Sequence, residues 1–369
     1  MKILLLGEYS AIHKNLREGL ISLGHEVNLA SNGDGWKNIP RDIDINYNNK
    51  IIPYKIASRI YPWIDVKNFF GYDIVQLMSP DTIFKKYFPR SYYFNLLKKN
   101  NKKIFLLASG GDAFYWKYGR DKLEYGPFED ILKYDLKGNP HPSQDPKYFK
   151  FNQIIADSVN GIIPLAYEYE LSYKHHQNLR RIIPFPMNTE TIKYKENNIY
   201  NKIVIFHGMN RYGVKGTKYI KDAFNILKNK FPNNLELILN DRMPLEEYLK
   251  VLDKANVVID QTSSYSVGLN GLYALAKGKV VLGGAEPEAQ KSLGVNTSPV
   301  INIKPSSESI VNEIEKLLKN KNKIKELGYL SRKYVENVHS HIGVSKKFLD
   351  TWAENVNKIN NFWGISCLD

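Results

Sequence analysis

The 369-residue chain holds a single cysteine, Cys367, so no intrachain disulfide can support its fold. That scarcity points to a reducing, cytoplasmic setting. No apolar run approaches the roughly 18 residues that a membrane-spanning helix requires. The opening Met1-Lys2-Ile3-Leu4-Leu5-Leu6-Gly7 is too short in apolar residues for a signal peptide and runs into a glycine turn, which reads as a first strand. The sequence also lacks a G-x-G-x-x-G fingerprint and a Walker A motif, which removes the dehydrogenase and P-loop ATPase readings. Metal-ligand patterns are thin. His175-His176 has no further Cys or His at ligand spacing, and Asp42-Ile43-Asp44 lies in a polar stretch rather than at the end of an apolar strand, so no metal is expected.

Charge of one sign is not scarce, but it is evenly spread. The formal net charge is +14; residues 1–186 carry 26 Lys/Arg and 19 Asp/Glu, and residues 187–369 carry 26 and 19 again, so neither half is a basic tail. Only the total speaks for nucleic acid. The densest patch runs from Lys85-Lys86 through Arg90 to Lys98-Lys99 and Lys102-Lys103, interleaved with Phe84, Tyr87, Phe88, Tyr92, Tyr93 and Phe94. It has two readings: a segment that meets anionic headgroups at a membrane surface, or a solvated helix whose aromatics face the core.

What is present is an alternation of short apolar strands and helical patterns. In the first half, strands are predicted at 2–6, 27–30, 74–77, 104–107 and 161–163, each bounded by polar or glycine turns as buried parallel strands are. Leu16, Leu20 and Leu23 mark a helix ended by Gly24. The two prolines of Arg181-Ile182-Ile183-Pro184-Phe185-Pro186-Met187-Asn188 rule out helix and predict an interdomain linker. Strands follow near 203–206, 235–239, 257–260, 280–283 and 299–303, then a helix with Ile310, Ile314 and Leu317, and a last one with Phe348, Leu349, Trp352, Val356 and Ile359. The expected architecture is α/β, two doubly wound Rossmann-like domains facing across a cleft: residues 1–183, residues 184–345, and a closing segment 346–369.

Two stretches of the second half are suited to phosphate. His207-Gly208-Met209-Asn210-Arg211-Tyr212-Gly213-Val214-Lys215-Gly216 sits between the apolar Ile203–Phe206 and a helical pattern, which places one Arg and one Lys at a glycine-rich turn. The second runs from Val257-Val258-Ile259-Asp260-Gln261 through a small polar loop to Gly268-Leu269-Asn270-Gly271-Leu272-Tyr273-Ala274-Leu275-Ala276-Lys277-Gly278-Lys279-Val280-Val281. Free backbone N–H groups and the positive end of a helix at that loop would meet a diphosphate.

The pair resembles the C-terminal domain of GT-B glycosyltransferases, in particular family four. That resemblance implies Arg211 and Lys215 on the donor diphosphate, and the donor-binding candidates are His207, which reads either as a phosphate contact or as a packed strand-end histidine, Asn240, the loop Ser266-Val267-Gly268-Leu269, and Tyr273, with Gly7 and Glu8 reaching over from the first domain. The family carries two glutamates eight positions apart, the second on the nucleotide ribose; this chain has Tyr265 and Tyr273 there. Ser109-Gly110-Gly111-Asp112 resembles the family's His-Gly-Ser-Asp turn with Ser109 for the His, and Asp112 reads either as the base that orients an acceptor hydroxyl or as a helix cap.

The resemblance implies metal-independent transfer of a sugar from a nucleoside-diphosphate donor to a hydroxyl of a glycan or lipid-linked acceptor, with a retaining outcome, no further cofactor, and a last helix that packs back on the first domain through Phe362-Trp363. Two other readings stay open. One is a weakened GT-B subunit that binds a nucleotide or a partner, as the two tyrosines would permit; the other is a glycosyltransferase acting on nucleic acid.

Overall fold

A computed structural model describes residues 1–47, 53–80, 90–240 and 245–354. Phe84, Lys85, Lys86, Tyr87 and Phe88 of the basic patch, and Val356, Ile359, Phe362, Trp363 and Cys367 at the end, lie outside the described residues.

Among the described residues, two all-parallel sheets organise the fold. The first has six strands, β1 (Lys2–Leu6), β2 (Glu26–Ser31), β3 (Ile43–Asp44), β4 (Ile74–Leu77), β5 (Lys103–Ala108) and β6 (Gly161–Pro164), in the order β3-β2-β1-β4-β5-β6. The second has β7 (Ile203–Gly208), β8 (Leu235–Asn240), β9 (Val257–Ile259), β10 (Val280–Gly283) and β11 (Ile301–Asn302), ordered β11-β10-β9-β7-β8. Strand side chains alternate between faces, and the apolar runs fill both. Leu4, Leu6, Val75 and Leu77 feed one core of the first domain while Ile3, Leu5, Ile74 and Leu107 feed the other. In the second sheet Ile205, Val257 and Leu282 point one way, and Phe206, Val258 and Val281 the other. Each such buried aliphatic side chain stabilises the fold by roughly 1.5–3 kcal/mol, so a one-residue slip in any central strand is prohibitive.

The first domain departs from expectation at its edge. Ile43-Asp44 forms the short strand β3 rather than polar loop, with the preceding Asp42 bidentate to Arg17 at 2.7 Å and Asp44 bound to Arg41 at 2.9 Å. A helix at Tyr54–Asp65 carries Pro62 inside it, where periodicity alone gave no signal. His176 pairs with Asp157 at 3.0 Å. Among the described residues, no helix is long and apolar enough to cross a membrane.

The last described helix, His341–Ala353, returns to the first domain. Val344, Phe348 and Trp352 complete the core beneath β1, β4 and β5, and Trp352 Nε1–H donates to Gln76 Oε1 at 3.0 Å. The chain therefore crosses between the sheets twice, at 184–188 and 339–341. The crossings are bonded side by side: Met187 N–H donates to His339 O at 2.7 Å, and His341 N–H to Met187 O at 3.0 Å.

Candidate functional site

In an open parallel sheet a ligand crevice forms past the carboxyl ends of the strands, where the strand order reverses. In the first sheet that point lies between β1 and β4; in the second it lies between β7 and β9. The turn after β7 and the loop after β9 are the two phosphate-suited stretches of the sequence, so topology brings them together.

The turn after β7 holds a buried ion pair. Lys215 Nζ lies 2.5 Å from Asp260 Oδ1, both side chains nearly without solvent contact. The other oxygen, Asp260 Oδ2, accepts the Gly268 N–H at 2.8 Å. Asp260 thus ties the Lys to the loop that follows its own strand, and it takes the N–H reserved by the sequence reading for phosphate. Gly216 starts the next helix at φ 64°, and a Cβ there would stand 2.0 Å from Thr262 Oγ1, so only glycine closes this turn. Arg211 is exposed at the start of the short helix Tyr212–Lys215 and lies within electrostatic reach of the Tyr169 hydroxyl from the first domain.

His207 is a correction to the sequence reading. It is fully buried, with Nδ1 at 2.8 Å from Ile259 O and Nε2 at 3.0 Å from Thr217 Oγ1, so both ring nitrogens are spent inside the domain. Burial lowers its pKa to about 4, which keeps it neutral. It fastens β7 to β9 and the helix Thr217–Lys230.

The loop after β9 already holds an anion, and the first domain supplies it. Glu168, at the start of the helix Tyr167–Ser172, accepts from Tyr265 N–H at 2.8 Å, Ser266 N–H at 2.9 Å, Ser264 Oγ at 2.5 Å and, on its second oxygen, Ser266 Oγ at 2.7 Å. The arrangement is an anion receptor filled by a side chain. A second acid crosses at the other turn: Asp135 accepts from Gly213 N–H at 2.9 Å and Val214 N–H at 3.1 Å. A Cβ on Gly213 would sit 2.3 Å from Asp130 O, and Lys218 pairs with Asp130 at 2.7 Å, so the two domains touch closely here.

The two tyrosines diverge. Tyr265 points into the first domain, stacked on Tyr125 at 4.8 Å and on Tyr167 at 5.7 Å, with its hydroxyl accepting the Glu124 N–H at 3.1 Å. Tyr125 donates in turn to Glu286 at 2.6 Å. Tyr273 stays in its own domain, half-buried against the core that holds Val258 and Leu275. Val267 is buried in that same core, Leu269 packs against it and against the first domain's core, and Asn240 is exposed at the end of β8, its carbonyl accepting Met209 N–H at 2.8 Å.

On the first-domain side, Gly7 adopts φ 92°, and Ser10 and Ala11 follow in the left-handed region at 53° and 67°. Two consecutive non-glycine residues there are strained, each by about 1 kcal/mol. Asp34 holds the loop, accepting Ser10 N–H at 2.8 Å. Glu8 is buried and accepts His13 N–H at 3.3 Å and Lys14 N–H at 2.8 Å, so it fills the start of the helix Ile12–Ser22 with its own carboxyl. Burial drives its pKa up to about 7 against those bonds. Asp112 is a further correction: it is buried, caps the following helix through Tyr115 N–H at 2.9 Å, and accepts the Tyr173 hydroxyl at 2.8 Å, so the cap reading describes it. The half-exposed Tyr9 ring lies against Gly110 and hydrogen-bonds Ser79 at 3.0 Å, leaving these strand ends to line the crevice.

Asp260, Glu168 and Asp135 are the residues the sequence reading missed as site groups. Asp260 had a signal, a carboxylate closing an apolar strand. Glu168 and Asp135 had none, because their partners lie in the other domain.

No family model matches the chain, and no curated protein matches its sequence. Solved structures do match its fold. Sucrose-phosphate synthase from Thermosynechococcus elongatus aligns over 95% of this chain and 98% of its own, at TM-score 0.63 and 14% identity. HepE from Anabaena, solved in complex with UDP-glucose, aligns over 95% and 99% at TM-score 0.60 and 11% identity. UDP-GlcNAc 2-epimerase from Neisseria meningitidis, bound to UDP-GlcNAc, aligns over 95% and 99% at TM-score 0.53 and 13% identity. The chain has the GT-B fold.

Proposed function

We propose that this protein is a glycosyltransferase that moves a sugar from a nucleoside-diphosphate donor to a hydroxyl of a glycan or lipid-linked acceptor, without a metal and with retention of configuration. The observation that carries the reading is the anion receptor after β9, four donors converging on one carboxylate at the switch point of the second sheet. A diphosphate has the same need for converging donors. Charge grows on it as the glycosidic bond breaks, and positioned N–H groups with a guanidinium stabilise that charge without reorganising. Lys215 is neutralised by Asp260, so Arg211 supplies the net positive charge.

The test is a panel of nucleotide sugars, read by donor hydrolysis and by titration of the free nucleoside diphosphates. Turnover of at least one donor, falling ~100-fold or more in Arg211→Ala, is expected. Near-normal kinetics in that variant would remove the donor from this turn. A second reading has its own support: the receptor is filled by Glu168, and Tyr265 is built into an interdomain aromatic stack. A GT-B subunit that binds a nucleotide or a partner and performs no transfer would give binding in the titration and no hydrolysis with any donor.

A further inference from the structure

The helix Tyr54–Asp65 is apolar on both sides. Ala57 and Pro62 are buried and Tyr61 stacks on Tyr47 at 5.9 Å, which accounts for the face turned to the sheet. The opposite face carries Ile56, Ile60, Trp63 and Ile64, the i, i+4, i+7, i+8 stripe, between 38% and 59% exposed. Trp63 continues it onto the next helix, Arg90–Lys99, through Tyr92 at 5.8 Å, itself 59% exposed. Other large exposed apolar side chains, such as Trp36, Tyr200 and Ile226, lie apart in the sequence on separate elements; this face gathers five. A solvated helix would place polar residues there, so the stripe is a surface made to be covered.

The charges around it indicate by what. Lys55 and Arg59 run along one edge of the stripe, Lys67 stands past its end, and Lys98 and Lys99 close the neighbouring helix; all are exposed. Asp65, on the same helix, is half-buried and accepts the Tyr47 hydroxyl at 3.1 Å. Branched aliphatics with a Trp and a Tyr, edged by cations, match the boundary between lipid headgroups and acyl chains. We infer that this face docks the protein on an anionic lipid bilayer, with the isoleucines and Trp63 in the interface and the cations on the headgroups. The inference stands apart from the glycosyl-transfer reading.

Cosedimentation of the full chain with vesicles tests it, using phosphatidylcholine alone and an equal mixture with phosphatidylglycerol. Wild type is expected to partition to the mixed vesicles and much less to the neutral ones, with added salt weakening the difference. The triple variant Ile56→Ser, Ile60→Ser, Ile64→Ser should lose roughly 10- to 100-fold in partitioning. Because those side chains are exposed, thermal unfolding should be nearly unchanged. Lys55→Glu with Arg59→Glu should lower binding to mixed vesicles only. Equal partitioning of wild type to both vesicles, or an unaltered triple variant, overturns the inference. So does a wild type that ignores vesicles but sediments as a dimer that the triple variant dissolves, since the face would then be an interface between two copies.

Discussion

The turn after β7 and the loop after β9 lie side by side, yet they are closed in different ways. The charge of the first is cancelled from within, by Asp260 on Lys215. The donors of the second are satisfied from across the cleft, by Glu168. The ion pair lies within one domain, whereas the bonds to Glu168, like those from the Gly213 and Val214 N–H groups of the first turn to Asp135, cross between the domains. The chain crosses between domains at two bonded segments, 184–188 and 339–341, and opening about them would release the Tyr265, Ser266, Gly213 and Val214 N–H groups while leaving the ion pair intact. On the proposed reading, a donor diphosphate and Glu168 are rivals for the receptor after β9.

The comparison breaks first at the ion pair. Lys215→Met leaves the Asp260 carboxylate buried with one N–H partner, and removing one member of such a pair costs about 3–5 kcal/mol. Denaturant unfolding should show that loss. Adding Asp260→Leu should recover part of it, because a pair of apolar groups leaves no orphaned charge. If Lys215→Met unfolds like wild type, the pair is not holding the turn.

Acid should separate the domains' interiors from their surfaces. His13 under the β1 loop, His207 under the β7 turn and His339 at the crossing are all driven by burial to about 4, below an ordinary histidine. Their folded forms resist protons that the unfolded chain accepts, so their contribution is full above about 6.5 and lost as pH falls towards 4. Glu8 works the other way: its folded carboxyl, raised to about 7, binds a proton more tightly than the unfolded one, so its contribution is present below about 4.5 and lost as pH rises to 7. Three against one, the histidines win. The melting temperature should fall from pH 6.5 to 4, and His207→Gln should flatten that slope. A melting temperature that rises over the same range would contradict the buried, neutral state of these rings.

Glu168 sharpens the comparison by a smaller amount. Glu168→Gln keeps the shape and removes the charge, so the receptor loses its resident anion. Affinity for a nucleoside diphosphate should rise at least ~10-fold, about 1.4 kcal/mol, read by calorimetric titration. Unchanged affinity would place the diphosphate elsewhere in the cleft.

How much of this was legible in the sequence follows from where each residue's partners lie. The central strands were readable because their own apolar runs determine burial on both faces, as Leu4, Ile205 and Val257 illustrate. Both switch-point turns were readable from glycines that follow such runs. Asp112 was legible as a choice between two roles, and capping within four residues decided it. His207 misled because a strand-end histidine beside an arginine resembles a ligand contact, whereas its partners Ile259 and Thr217 are supplied by β9 and the helix that follows the turn. Glu168 and Asp135 could not be read, since neither an acid opening a helix nor one closing a helical turn carries a mark of partners that lie 78 to 98 residues on, in the other domain. The edge strand β3 and the helix across Pro62 were hidden for a related reason: pairing with β2 and packing under Tyr47 override weak local preference.

The smallest expected effect lies with the tyrosines eight positions apart. Tyr265 belongs to both domains, so Tyr265→Phe loses only the acceptor for Glu124 N–H, about 0.5–1.5 kcal/mol of stability, while the stack on Tyr125 survives. Tyr273 belongs to one domain and keeps part of its ring at the surface. If that ring carries the nucleotide's ribose by packing, Tyr273→Ala should lower nucleoside-diphosphate affinity by ~3- to 10-fold and Tyr273→Phe by less than ~2-fold, because the hydroxyl adds one weak bond and the ring adds area. Titrating wild type and both variants compares them directly. Equal affinity in all three would move the ribose to the Glu286–Glu288 segment, where Glu286 is already committed to Tyr125 and Asn302, leaving the exposed Glu288 as the carboxylate able to take the diol.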